Sequence, residues 1–133
     1  MTDTATTEMI HSLVPLCVTM RITADTAGPT EVVLSLDWAP NLCTGNDVLH
    51  GGIVMALADS SGAVCAFLNL PEGAGGTATI ESKTNFFAAT RSGTVKAHSH
   101  PLHIGKRAIV VETEIRGDDG KLAAKTIQSQ AVL

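Results

Sequence analysis

The sequence predicts an α+β fold in which one antiparallel sheet wraps around a single long central helix. Three observations carry that expectation. Residues 51–69 form a helical stretch that is apolar on nearly every side, as suits a helix enclosed by other structure. Two strand-like segments precede it and four follow it. The last four are joined by short connections, which implies antiparallel neighbours.

Taken in order, the first nine residues are rich in Thr and read as a loose tail, with a short helix over residues 8–13. Residues 17–23 alternate and favour β-branched types, as a strand does. Ala27-Gly28-Pro29 makes a turn, and residues 31–36 a second strand. Residues 40–49 are irregular, with Asn41, Gly45, Asn46 and Asp47 favouring turns. The long helix is rich in Ala, Leu and Met and meets no proline until Pro71 stops it. A Gly-rich loop over residues 72–76 leads into strands at 77–87, 93–102, 108–116 and 122–132. Turns at Thr90-Arg91-Ser92-Gly93, His103-Ile104-Gly105 and Gly117-Asp118-Asp119-Gly120 divide these four strands into a meander.

A length of 133 residues suits one domain, spanning residues 1–133. Its only aromatic residues are Trp38, Phe67, Phe86 and Phe87, so small aliphatic side chains must build the core. Such a core is marginal for a lone subunit, and a homo-oligomer is expected to supplement it. The net charge is −4 and there is no basic run, which argues against nucleic acid or an anionic membrane as partner. Cys17, Cys43 and Cys65 are odd in number and form no CxxC pair, as expected of reduced thiols in the cytoplasm. Residues 1–16 lack the basic start and apolar run of a signal peptide. Residues 51–70 carry Asp59 at their middle, where a carboxylate is most costly in lipid, so this is a buried soluble helix and not a membrane span.

The chemistry concentrates in Leu49-His50-Gly51-Gly52-Ile53-Val54-Met55-Ala56-Leu57-Ala58-Asp59. Two glycines open the helix, where backbone N–H groups are unpaired and carry the positive end of the dipole. Without side chains they let a substrate oxygen approach, as an oxyanion hole requires. Asp59 is a carboxylate in an apolar helix, and burying it without a partner or a purpose would be costly. His50 and Asp59 are nine positions apart. At about 100° and 1.5 Å per residue they lie on opposite helix faces, about 13 Å apart along the axis. Two subunits packed antiparallel would bring one helix start to the other's carboxylate, giving a shared symmetric site.

The His-Gly-Gly opening with an acid nine residues after the His resembles the hotdog-fold acyl-CoA thioesterases of the phenylacetate-pathway and 4-hydroxybenzoyl-CoA subgroup. Thr77-Ala78-Thr79-Ile80-Glu81-Ser82-Lys83-Thr84-Asn85-Phe86-Phe87, Pro101-Leu102-His103-Ile104-Gly105 and the closing Ala131-Val132-Leu133 extend the likeness over roughly residues 10–133. The resemblance implies a hotdog fold and hydrolysis of an acyl-CoA. Asp59 would be nucleophile or general base, the Gly51 N–H would polarise the thioester carbonyl, and His50 would fix the thioester and the helix entry. Thr79 would orient water or the acid. Two positions depart from the pattern. Thr44 stands where many relatives have Asn or Gln six residues before the His, with Asn46 nearby as a substitute. Ala63 stands where some have a hydroxyl four residues past the acid.

Arg91, Lys106 and Arg107, with Gly105 beside them, lie at strand ends where they could meet the phosphates of CoA. No resident cofactor is implied beyond the CoA of the substrate. His98 and His100 alternate along a strand, but His103 lies in the turn before Gly105 and no Cys or acid completes a metal set. Two other functions fit the same fold. A hotdog dehydratase would place its acid further along the helix, but Val64 occupies the position fourteen residues after His50. A non-catalytic acyl-CoA-binding module is opposed only by the retained Asp59.

Overall fold

The computed structural model describes residues 1–133. Helices α1 (Thr4–Leu13) and α2 (Pro15–Thr19) lead into strands β1 (Thr23–Ala27) and β2 (Val32–Asp37). Two single 3₁₀ turns, Pro40–Leu42 and Gly45–Asp47, precede the long helix α3 (Gly51–Phe67). Strands β3 (Thr77–Phe86), β4 (Thr94–Ile104), β5 (Ala108–Arg116) and β6 (Leu122–Val132) complete the chain.

All six strands join one antiparallel sheet in the order β1-β2-β4-β5-β6-β3. Alternation along the strands sends Val95, Ala97 and Ser99 of β4, and Ile109, Val111, Thr113 and Ile115 of β5, into the core. Helix α3 lies across this inner face and buries Val54, Leu57, Ala58, Ser61, Val64 and Cys65. A sheet wrapped on a central helix is therefore what the sequence specifies, and the fold is the hotdog. No helix is long and apolar enough to cross a membrane.

Helix α3 is less enclosed than its composition predicts. Gly52, Met55 and Phe67 are exposed, and Ala56, Asp59 and Ala63 between them are half-buried. At helical spacing these residues form one stripe, open along the subunit surface.

Three expectations need correction. The first nine residues are ordered as most of α1, because Asp3 Oδ1 caps it by accepting the Thr6 N–H at 2.7 Å. That hydrogen bond holds the exposed Asp3 carboxyl below its usual pKa. The Thr7 hydroxyl accepts the Ala24 N–H at 2.9 Å, and Ile10 is fully buried. Residues 17–22 are the end of α2 and the approach to β1, which starts only at Thr23. Pro15 sets φ for a helix start, and Cys17 and Met20 are buried at helical spacing. Finally, the last four strands are not one meander. β3 crosses to the sheet edge beside β6, leaving β4-β5-β6 as the meander. The crossing spans three strand spacings, about 14 Å. The seven residues from Phe87 to Gly93 reach about 23 Å when extended, so they suffice.

The two sheet edges differ. On β1, the Asp3 N–H donates to Ala24 O at 2.8 Å and the Ala24 N–H to Thr7, so α1 covers that edge. On β3, no element covers the outer edge, and Ile80 is 67% exposed.

Candidate active site

The start of α3 is built from His50 and the two glycines. His50 has extended backbone and caps the helix, its Nδ1 accepting the Gly52 N–H at 2.8 Å. An accepting Nδ1 places the ring proton on Nε2. A Cβ at residue 52 would come within 2.9 Å of that Nδ1, so the cap requires glycine there. The Gly51 N–H, at the first helical position, has no intrahelical acceptor. Gly51 lines an apolar cavity of about 350 Å³ whose walls include Thr44, Val48, Val54, Phe86 and Phe87. The Phe86 ring lies over Gly51, 3.4 Å from where a Cβ would stand.

Two turns along, Asp59 sits half-buried in a polar cluster. Its Oδ1 lies 3.2 Å from Gln128 Nε2 and 3.4 Å from Thr79 Oγ1. Thr79 Oγ1 is only 2.6 Å from Gln130 Oε1, which also accepts Gln128 Nε2 at 3.0 Å. Gln130 Nε2 donates in turn to Thr77 Oγ1 at 3.3 Å, and Thr77 to Ala131 O at 2.8 Å. Asp59 Oδ2 receives no hydrogen bond from within the chain.

Sequence reasoning missed Gln128 and Gln130, each 1% exposed. The signal was Thr126, Gln128 and Gln130 at period two, on the phase of β6 that continues inward from Ala124.

The sequence-derived residues thus fall into separate groups. His50 and Gly51 share the helix start, and Thr79 stands beside Asp59. Arg91 joins Asn46 at the same end as the helix start, its Nη1 donating to Asn46 O at 3.0 Å. Gly105, Lys106 and Arg107 form the β4–β5 turn at the opposite end, where Arg107 O accepts the Val132 N–H at 2.9 Å. One subunit does not unite these groups. Of the histidines, His100 pairs with Glu112 at 3.1 Å and His98 approaches Glu31 at 3.9 Å. His103, expected in a turn, belongs to β4 after a bulge at Pro101. No three His, Cys, Asp or Glu side chains converge as a metal site would require.

Comparison with known proteins matches residues 46–124 to the thioesterase superfamily. The 1,4-dihydroxy-2-naphthoyl-CoA hydrolase of Escherichia coli is 34% identical over 86 residues, 65% of this chain and 62% of that protein. The crystal structure of a thioesterase from Haemophilus influenzae superposes with a TM-score of 0.84 at 25% identity, covering 93% of this chain and 90% of that one. A point variant of the phenylacetic acid degradation protein PaaI of Thermus thermophilus shares the fold, with a TM-score of 0.81 at 20% identity, covering 90% of this chain and 99% of that one.

Proposed function

The chain belongs to the thioesterase superfamily, and from that premise we propose that it hydrolyses acyl-CoA thioesters to a carboxylic acid and CoA, at a site shared between two subunits. The observation that carries the reading is the state of Asp59. One carboxylate oxygen is held by the Gln128 amide while the other is free of donors, on the open stripe of α3.

In the proposed reaction, the thioester carbonyl accepts the unpaired Gly51 N–H at the positive end of one helix. Asp59 of the partner helix, packed antiparallel, meets the carbonyl carbon. As nucleophile, it forms a mixed anhydride and releases CoA thiolate, and water then cleaves the anhydride. As base, it takes a proton from water, which attacks directly. Either route yields the acid and CoA. The same packing would place the Arg91 end of one subunit beside the Lys106–Arg107 end of the other, where both can meet the CoA phosphates. The uncovered edge of β3 and the open α3 stripe offer the surfaces for that pairing. The E. coli relative, named for CoA-thioester hydrolysis, supports the substrate class.

Release of CoA thiol from a panel of acyl-CoAs tests the reading. Asp59→Asn keeps size and Oδ1 but removes the charge. It is expected to fold, bind acyl-CoA, and lose about 10²-fold or more in kcat. Acyl-CoA binding without thiol release from any member of the panel would instead indicate a binding module.

A further inference from the structure

Gln128 carries the one buried side-chain nitrogen or oxygen without a hydrogen-bond partner, its carbonyl Oε1. A buried amide oxygen left without a donor lowers stability. Turning the amide over would not repair the loss. It would point Oε1 at Asp59 Oδ1 and Gln130 Oε1, setting three acceptors face to face. The observed orientation keeps both Nε2 hydrogens at work, one on Asp59 and one on Gln130.

Thr79, the residue that the sequence singled out beside the acid, has a single hydroxyl proton. Its contact to Gln130 Oε1 is 2.6 Å and its contact to Asp59 Oδ1 is 3.4 Å, so the proton goes to Gln130. Gln128 is then the donor that fixes Asp59, with Gln130 and Thr79 fixing Gln128. Helix α3 accommodates the arrangement at Gly62, where any Cβ would overlap the Gln128 amide.

We propose that Gln128 is the positioning residue for Asp59: its amide holds Oδ1 and thereby presents Oδ2 to the thioester. The inference rests on Asp59 being the reactive group of the proposed thioesterase. A group kept for stability would not leave its own carbonyl orphaned. A group kept to aim a carboxylate has reason to.

Gln128→Met, of similar length and without polar atoms, tests this in the full chain with an acyl-CoA that the wild type hydrolyses. The expected result is a kcat about tenfold lower, since misplacement of a reacting group is costly. KM should stay within about twofold, and the melting temperature should fall by only a few degrees at most, because the orphaned carbonyl goes together with the two hydrogen bonds. Added to Asp59→Asn, the substitution should slow the residual reaction no further, because Gln128 acts only through Asp59. Gln130→Met supplies a second route should Gln128→Met not fold. It leaves the Gln128 amide free to turn and is expected to lower kcat at constant KM. Unchanged kcat in the folded variant, with Asp59→Asn inactive, would overturn the role of Gln128 and leave the thioesterase reading standing. Full activity in Asp59→Asn would overturn both.

Discussion

Glycine in a helix interior is unfavourable by up to about 1 kcal/mol relative to alanine, so Gly62→Ala would stabilise α3 if nothing lay against it. Here the new methyl would overlap the Gln128 side chain, which is 1% exposed and has little space to retreat into. The amide must swing off Asp59 and Gln130. A hydrogen bond to a charged group contributes about 1.5–3 kcal/mol, and the low end applies because Asp59 is partly exposed. Loss of that bond and the one to Gln130, less the helix gain, leaves a net destabilisation of about 1 kcal/mol. In a chain of 133 residues this lowers the melting temperature by about 4 °C. Differential scanning calorimetry measures the shift, and thiol release on the same preparation should show a lower kcat. A melting temperature raised by a similar amount, with kcat unchanged, would refute the packing of Gln128 on α3.

Three other outcomes are expected. Ile80→Lys places a charge on the open β3 edge and should shift the assembly toward monomer in light scattering, with activity lost in parallel; a fully active monomer would sink the shared site. Arg91→Ala, Lys106→Ala and Arg107→Ala should raise KM more than they lower kcat, since contacts to CoA phosphates persist into the transition state, and added salt should act in the same direction. Burial raises the Cys65 thiol to about 11 from 9.0. Between those values the unfolded chain binds fewer protons than the folded one, so denaturant stability should fall as pH rises from 9 to 11. The fall should be smaller in Cys65→Ala.

The second half of the chain was legible because its signals are local. Residues 108–116 and 122–132 are bounded by Gly-rich turns, and the observed β5 and β6 have the same limits. The N-terminal region was not. Alternation over residues 17–23 reads as a strand, but the run also carries helical spacing, and Pro15 and the burial of Met20 decide for the helix. The place of β3 was hidden too, since strand order is set by packing on α3 rather than by chain sequence. At the site, the helix start and Asp59 were visible as a motif. Gln128 and Gln130 were not, because hydropathy assigns β6 the opposite phase: it would bury Ile127, which is 45% exposed, and expose the two glutamines.

The unequal sheet edges bear on how far assembly can proceed. A chain with two open edges can recruit a neighbour at each and grow without limit. Here α1 closes one end, through Asp3 and Thr7 against Ala24. A pair joined at β3 by a twofold axis uses its last free edge and terminates. In the proposed dimer helix α1 would therefore act as a chain stopper, and its removal would turn a finite particle into a seed for linear polymer.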